Sequence, residues 1–257
     1  MHGPEELKGL VEEALAQLEL WPQLEGQRES THYALVEMGG KRIRPVISLA
    51  VGEALGAPPE DVMPAGLALE MVHNFSLVHD DLPGLDNDEE RRGKPSVWAA
   101  YGVGTAVLAG DALLAEAFRL ACSYETPEVA RELAEATLGM IGGQYLDTME
   151  PGADLEWVHR LKTGRLFYAS VSMPLWATGL PDGEQAPWRA FGEELGLLFQ
   201  IVDDILDDDG YVVAYGPERA RELADGAAGR AQAQLAELDA DTSVLEEIVA
   251  GLAVRTA

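Results

Sequence analysis

The sequence predicts an all-α protein, and two observations support that class. Apolar residues recur at helical spacing through most of the chain, beginning with Leu7, Leu10, Val11, Leu15 and Leu18. No stretch alternates apolar and polar residues as a strand does, and no repeat or low-complexity linker divides the chain. From the usual length of a helix we expect about ten helices in a single domain over residues 1–257.

The predicted helices follow one another with short connections. The first ends at Trp21-Pro22, and the second, over residues 31–37, ends at Gly39-Gly40. Pro45 opens a third through residue 55, because proline is tolerated in the first turn. A long apolar helix over residues 63–78 precedes the break at Pro83-Gly84. The remaining helical regions are predicted at 97–122, 128–140, 155–180, 188–208, 219–238 and 243–254.

The charge balance narrows the function classes. Lysine and arginine total 18 against 45 acidic residues, a net charge of -27, whereas binding to nucleic acid needs a basic footprint. Cys122 is the single cysteine, so we expect no internal disulfide and a cytoplasmic location. The first 20 residues lack the regions of a signal peptide. No apolar run reaches the roughly 18 residues of a membrane span, so we expect no stable membrane anchor.

The most informative stretch covers residues 79–95, HDDLPGLDNDEERRGKP. Its acidic residues, which include Asp80, Asp81 and Asp86, would repel one another unless a cation lay between them. Mg²⁺ prefers oxygen ligands and commonly holds a substrate phosphate as well. The guanidinium groups of Arg91 and Arg92 match phosphate oxygens. The stretch therefore predicts a site for Mg²⁺ and a diphosphate.

A second acidic cluster lies in FQIVDDILDDD at residues 199–209. On a helix, Asp203 and Asp204 are close neighbours of Asp207, and Gln200 lies one turn before Asp203. A solvated run of charge is the alternative interpretation of either acidic cluster alone. Both clusters adjoin core-like helix sequence, which favours a shared cavity with cations between them.

Basic residues gather at two glycine-containing motifs. GGKRIRP at residues 39–45 brings Lys41, Arg42 and Arg44 to a helix start, where free N–H groups also attract phosphate. Lys162-Thr163-Gly164 adds a cation and a hydroxyl to an apolar segment. Each motif is a weak signal by itself. No P-loop, HExxH, paired CxxC or GxSxG motif is present, which disfavours those enzyme and metal classes.

Together, four motifs resemble those of the trans-isoprenyl diphosphate synthases, or polyprenyl synthetases. They are GGKRIRP, HDDLPGLDND with RRGKP, KTG, and FQIVDDILD, and they stand in the family's order from Gly39 to Asp207. The DDxxxxD spacing resembles bacterial short-chain members such as farnesyl diphosphate synthase. The resemblance implies an isoprenoid synthase fold: an all-α homodimer with helices around a central cavity. It also implies Mg²⁺-dependent head-to-tail condensation of an allylic diphosphate (dimethylallyl or geranyl) with isopentenyl diphosphate.

The resemblance assigns metal ligands to the two acidic clusters. Asp80 and Asp86 would hold Mg²⁺ from one wall, with Asp81 supporting them. On the facing wall the ligand would be Asp203, with Asp204 and Asp207 behind it. The family pattern implies three Mg²⁺ ions per site; Mn²⁺ is the alternative, and cellular availability favours Mg²⁺.

The resemblance also assigns substrate contacts. The allylic diphosphate would be held by Arg91 and Lys162. The diphosphate of isopentenyl diphosphate would be held by Lys41, Arg44, His73 and Arg92. Thr163 and Gln200 would lie near the developing allylic cation, and Gln144 would be a further substrate-binding residue. His73 stands two helical turns before Asp80, so both face the same side of their helix.

Product length is expected to depend on Phe75. It stands five residues before Asp80, deeper in the same helix, where an aromatic ring would form the floor of the pocket. We therefore expect a C15 product, farnesyl diphosphate, with a C20 geranylgeranyl product as the alternative. A plain core role for Phe75 is the competing interpretation.

The chain departs from the family pattern after the second acidic cluster. The family carries a flexible segment with lysines there, whereas here Gly210 is followed directly by Tyr211. Either this lysine-bearing lid is truly deleted, or the sequence at hand omits a mobile stretch. We favour omission, because loops that gate active sites are commonly mobile.

Two other functions remain open at this stage. A class I terpene cyclase would share the fold and the first ionisation step, but the family pattern gives it neither a second aspartate motif nor GGKRIRP. A non-catalytic partner subunit of a heteromeric synthase is the other alternative. Intact aspartate motifs argue against it, and the missing lysines argue weakly for it.

Overall fold

The computed structural model describes residues 1–150 and 152–254, and helices dominate that part of the chain. The first six α-helices are α1 (Pro4–Gln17), α2 (Gln27–His32), α3 (Ile43–Ala54), α4 (Pro59–Asp80), α5 (Val97–Tyr101) and α6 (Val103–Ala121). The others are α7 (Glu128–Met149), α8 (Leu155–His159), α9 (Arg165–Ala177), α10 (Ala186–Asp207), α11 (Gly210–Tyr215), α12 (Pro217–Ala236) and α13 (Ser243–Ala253). Short 3₁₀ segments cover Pro22–Leu24 and Asp182–Glu184, and π-helical segments cover Tyr33–Glu37 and Arg160–Gly164. The predicted all-α class is confirmed.

One small hairpin was not predicted. Strands β1 (Glu90–Arg91) and β2 (Lys94–Pro95) pair antiparallel, and Arg92 and Gly93 form the turn with φ of 55° and 76°. Positive φ at both turn residues suits a two-residue hairpin. Strands this short cannot show alternation, so the search for strand patterns missed them.

Several helix boundaries differ from the predicted ones. α3 begins at Ile43, so Pro45 is its third residue and not its first. α4 begins earlier than predicted, with Pro59 in its first turn beside Glu60 and Asp61, which favour a helix N-terminus. The short helix α11 was not predicted at all, and it begins where the sequence departs from the family pattern.

Helix α7 runs to Met149, nine residues past its predicted end, and Gly143 explains one close contact of this helix. A Cβ on Gly143 would lie 2.3 Å from the backbone nitrogen of Lys162. Glycine therefore lets α7 approach the π-helical segment that carries Lys162, as the Gly142-Gly143 pair predicts.

Helix α4 lies at the centre of the packing. It packs against α3, α6 and α9, and its residues from Leu67 to Val72 are buried. Helix α10 packs against α9 and α12. The two acidic clusters stand at the C-terminal ends of α4 and α10. None of the helices within residues 1–150 and 152–254 is long and apolar enough to cross a membrane.

Candidate active site

The first acidic cluster folds back on the end of α4. The backbone N–H of Asp86 donates to the carbonyl oxygen of Asp80 at 2.9 Å, so the turn at Pro83-Gly84 returns Asp86 to the side of Asp80. Burial raises the pKa of Asp80 to about 6; the charge of Asp86 adds to the shift, and Lys162 opposes it. Crowded, partly buried carboxylates of this kind favour a bound cation.

The side chain of Asp81, unlike that of Asp80, is hydrogen-bonded to an arginine. Arg91 donates to both oxygens of the Asp81 carboxylate. Its Nη2 lies 2.6 Å from Oδ1, and its Nε lies 2.9 Å from Oδ1 and 3.0 Å from Oδ2. The Asp81 side chain is 2% exposed. Because its oxygens are taken by Arg91, Asp81 fixes that arginine, and its geometry does not support the expected part in metal ligation.

The second acidic cluster occupies the last turns of α10. Burial raises the pKa of Asp203, and the neighbouring charges of Asp207 and Asp204 raise it further, while Arg44 lowers it. Asp204 is turned inward: it accepts from the Gln200 amide at 2.6 Å and from the backbone N–H of Tyr211 at 2.8 Å. Asp204 therefore ties the start of α11 to α10.

Two adjoining hollows bring the clusters together. The larger, about 1060 Å³, includes Asp203 and Asp207 in its wall. The smaller, about 300 Å³, includes Asp80. Three residues, Arg44, His73 and Thr163, line both hollows. The acidic ends of α4 and α10 thus face spaces that meet at a shared basic and hydroxyl-bearing wall.

The larger hollow also carries most of the predicted basic residues. Its lining includes Lys41, Arg44, His73, Arg91 and Arg92. Burial lowers the pKa of Arg44 to about 10, although the charges of Glu70 and Asp203 oppose the shift. Burial also lowers the pKa of His73 well below its usual value, and the nearby arginines lower it further. The hollow thus offers several fixed cations and a neutral imidazole to an anion.

The smaller hollow holds Lys162, Thr163 and Gln144. The Lys162 ammonium donates to Asp147 at 2.5 Å, a partner on α7 that the sequence did not suggest. The Gln144 side-chain oxygen is buried without a hydrogen-bond partner. An orphaned polar atom of this kind is available to a ligand or to water.

Apolar side chains complete the smaller hollow. Phe75 and Leu77 line it from α4, the helix of Asp80, and Leu166 lines it from α9. The Phe75 ring packs edge-to-face against His79 at 4.9 Å between centroids. A Cβ on Gly110 would lie 2.2 Å from His79 Nε2, so α6 holds His79 against Phe75.

Four predicted site residues line neither hollow: Asp81, Asp86, Asp204 and Gln200. Gln200 has different surroundings from those expected. Its amide donates to Asp204, and it lines a separate hollow of about 100 Å³ with His159 and Arg165. Gln200 lies one helical turn before both Asp203 and Asp204, so spacing alone could not decide which of them it meets. The position of Gln200 beside an allylic cation stays a prediction, and in this structure its amide is held by Asp204.

Sequence reasoning missed one residue of the larger hollow, Glu70. It is the single charged residue between positions 62 and 72 of α4, and it lies one turn before His73. A charged residue inside an otherwise apolar stretch of helix could have identified Glu70 as a candidate site residue. Its buried side chain accepts from Arg42 at 2.6 Å.

The donor set can be tested against Mg²⁺. Among the described residues, no group of three or more His, Cys, Asp or Glu side chains is close enough to hold a metal ion. The carboxylates instead stand singly or in pairs on two walls. Mg²⁺ is commonly bound through one or two carboxylates, with substrate phosphates and water as its other ligands, so the arrangement fits that ion.

Comparisons with known proteins find similar chains. A sequence profile of the polyprenyl synthetase family matches residues 27–250. The farnesyl diphosphate synthase of Bacillus subtilis (strain 168) is 41% identical over 201 residues, covering 71% of this chain and 67% of that protein. A heterodimeric geranylgeranyl pyrophosphate synthase large subunit of Arabidopsis thaliana is 38% identical over 251 residues, covering 83% of this chain and 67% of its own length. This chain thus spans about two thirds of these relatives.

Solved structures show the same fold. A geranyltransferase from Legionella pneumophila superposes with a TM-score of 0.86 at 30% identity, covering 97% of this chain and 95% of that one. A geranyltranstransferase from Thermotoga maritima gives a TM-score of 0.81 at 30% identity, covering 98% and 95%.

Proposed function

Because the chain belongs to the polyprenyl synthetase family, we propose that it condenses an allylic diphosphate head to tail with isopentenyl diphosphate. The observation that carries this proposal is the pair of adjoining hollows, which share Arg44, His73 and Thr163 in their walls. One hollow is lined by Asp203 and Asp207, and the other by Asp80. Dimethylallyl and geranyl diphosphate are the proposed allylic substrates. Farnesyl diphosphate (C15) is the proposed product, and geranylgeranyl diphosphate (C20) is the alternative.

The residues suit each part of this reaction. Breaking the allylic carbon–oxygen bond leaves negative charge on diphosphate, which Arg91 and Lys162 would stabilise by fixed positive charge. The larger hollow would hold the diphosphate of isopentenyl diphosphate with Lys41, Arg44, His73 and Arg92. The double bond then attacks the allylic cation, a carbon–carbon bond forms, and a proton is lost to the released diphosphate. Apolar residues around Phe75 would keep water from the cation.

Metal binding is proposed at the two acidic walls. Asp80 and Asp86 would hold Mg²⁺ on one side, and Asp203, with Asp207 behind it, on the other. Bound Mg²⁺ supplies positive charge beside the leaving diphosphate. The proposed number of three ions per site follows the family pattern. Asp81 has a different proposed part: it holds Arg91 in place.

A homodimer is proposed from an exposed apolar surface. Along α7, Leu138, Ile141, Tyr145 and Met149 stand on one face and are 45–69% exposed. On the adjacent α6, Val103, Val107 and Leu108 are also exposed. Exposed apolar side chains in such a row are typical of a protein interface. We also propose a cytoplasmic location, in keeping with the single cysteine.

The connection from α10 to α11 bears on the missing lysines. Only Asp208 and Asp209 separate the two helices. We retain the proposal that a lysine-bearing segment has been omitted at this point. An intact mass above 27.6 kDa would support it, and a mass equal to that value would contradict it.

One assay tests the proposed function. Purified protein is incubated with Mg²⁺, geranyl diphosphate and labelled isopentenyl diphosphate, and extractable prenyl diphosphate is measured. Labelled farnesyl diphosphate is the expected product. A hydrocarbon formed without isopentenyl diphosphate would instead indicate a terpene cyclase. No turnover of either kind would indicate a partner subunit or a chain that is inactive because it lacks the lid.

A further inference from the structure

Glu70 is a buried carboxylate in the wall of the larger hollow, on the side where the cations gather and away from the acidic cluster of Asp203 and Asp207 in sequence. It lines the larger hollow beside Lys41, Arg44, Arg91 and Arg92, and its side chain is 3% exposed. A carboxylate at a diphosphate site repels the ligand, so Glu70 needs another reason to be there. We propose that Glu70 is a positioning residue for isopentenyl diphosphate: through Arg42, the N-cap of α3, it fixes the backbone that carries Lys41 just before the helix and Arg44 in its first turn.

Glu70 and the Leu35 carbonyl hold Arg42 from two sides, and Asn74 in turn holds Glu70. Arg42 Nη1 donates to Glu70 Oε1 at 2.6 Å, and Arg42 Nη2 donates to the carbonyl oxygen of Leu35 at 3.0 Å. The Asn74 amide donates to the Glu70 carbonyl at 2.8 Å, and it also reaches Oε1 at 3.3 Å. Charge-assisted bonds between buried groups are the strong ones, so this guanidinium has one fixed position.

The backbone of Arg42 depends on that fixation. Arg42 has φ of 55°, in the left-handed region that a non-glycine residue rarely adopts, and it is the N-cap of α3. Such a conformation persists where surrounding contacts determine it. Lys41 and Arg44 flank this residue, and Arg44 lies over the Phe167 ring at 4.7 Å. Loss of the Glu70–Arg42 bond would therefore move the two cations that face the hollow.

Glu70 also has a purely electrostatic effect of opposite sign. Its charge raises the pKa of Arg44 and Arg92, against the lowering caused by burial. Removing that charge would make the hollow more positive and would strengthen anion binding. Water and salt in a hollow of about 1060 Å³ screen such an effect, whereas loop geometry acts directly on the contacts. We therefore expect the positioning effect to prevail.

The test is the Glu70→Gln variant, which keeps the side chain's size and removes its charge. The inference rests on the proposed function, so the wild-type enzyme is assayed first for condensation. The expected result is that the KM for isopentenyl diphosphate rises by about tenfold. A change of that size corresponds to the loss of roughly one charge-assisted hydrogen bond. The KM for the allylic diphosphate and its solvolysis without isopentenyl diphosphate should stay within about twofold, because Asp81 and Asp147, and not Glu70, hold the proposed allylic contacts Arg91 and Lys162.

A control at a second, partly buried ion pair separates positioning from the general loss of an ion pair. Glu132 on α7 pairs with Arg189 at 2.6 Å, the same distance as Glu70 with Arg42, and lines neither hollow. Glu132→Gln should leave the KM for isopentenyl diphosphate unchanged. An unchanged or lowered KM in a folded Glu70→Gln protein would overturn the inference. If that variant does not fold, Arg42→Lys, which keeps the charge but loses the forked contact, should raise the same KM selectively, and no rise would overturn it.

Failure of the proposed function is distinguishable from failure of this inference. A wild-type protein without condensation activity contradicts the proposed function alone. In that case the positioning role of Glu70 can still be tested by measuring the binding of inorganic pyrophosphate by calorimetry in the absence of Mg²⁺. Glu70→Gln should bind it more weakly than wild type, and equal or tighter binding contradicts the positioning role.

Discussion

Arg91 grips the carboxylate of Asp81 with a forked set of hydrogen bonds as short as 2.6 Å, so these two residues of the first acidic cluster act as one unit. The unit joins the end of α4 to the β1–β2 hairpin and sets Arg91 in the wall of the larger hollow. Asp80 and Asp86 remain free to face a cation. One motif thus contains both proposed metal ligands and a residue that orients a phosphate-binding arginine.

The first prediction concerns this unit. Asp81→Asn weakens the hold on Arg91 without removing Asp80 or Asp86. We expect the KM for the allylic diphosphate to rise by about tenfold, the equivalent of roughly 1.4 kcal/mol. Steady-state kinetics against each substrate in turn measures it. Asp88→Asn, at an exposed neighbouring aspartate, is the control, and an equal effect of both variants would remove Asp81 from this role.

The second prediction concerns product length. Phe75→Ala enlarges the floor of the smaller hollow, so products of C20 and longer should appear beside or in place of C15. Chromatography of the dephosphorylated products measures the distribution. Phe118→Ala on α6 removes an equal ring outside that hollow and should leave the distribution unchanged. An unaltered distribution in Phe75→Ala would show that Phe75 is plain core.

The third prediction concerns the junction of α10 and α11. Asp204 accepts hydrogen bonds from Gln200 and from the backbone of Tyr211, and it is buried. Asp204→Ala leaves those donors unsatisfied, so the free energy of unfolding should fall by about 1–3 kcal/mol. Urea denaturation measures it. Asp207→Ala serves as the comparison, since its solvent-facing carboxylate should change stability by less than about 0.5 kcal/mol; equal losses would contradict the assignment of Asp204.

The fourth prediction follows from the net charge of -27. Acidic side chains that repel one another destabilise the compact state, and salt screens them. Raising NaCl shortens the screening length from about 10 Å at 0.1 M to about 3 Å at 1 M, so the Tm should rise. An isosmotic sucrose series controls for solvent effects without screening. A Tm that is flat in salt would mean that repulsion among these charges contributes nothing to stability.

The sequence predicted those parts of the site that depend only on residue type and on spacing along the chain. Carboxylate pairs near glycine-linked cations indicated Mg²⁺ and diphosphate, and the two-turn spacing placed His73 with Asp80 on the same hollow. Contacts between distant helices could not be predicted in this way. Lys162 meets Asp147 across two helices, and the rotation of α10 sends Gln200 to Asp204.

Glu70 is another residue whose contact could not be predicted from the sequence. Its position on α4 was visible as a lone charge, but its partner Arg42 belongs to a loop whose left-handed backbone no local pattern specifies. Tertiary contacts decided which of the clustered cations the carboxylate would meet. The β1–β2 hairpin and α11 were missed for a related reason, since elements this short leave no periodic signal.

The central claim is that the aspartate walls of α4 and α10 form one site for a Mg²⁺-bound allylic diphosphate. Calorimetric binding of a non-ionisable allylic analogue, geranyl thiolodiphosphate, tests it most directly, with Mg²⁺ and with EDTA. We predict that chelation, Asp80→Asn and Asp203→Asn each weaken binding by at least about tenfold, because both walls hold the same ligand. Binding that survives chelation, or that needs only one of the two walls, would contradict the account.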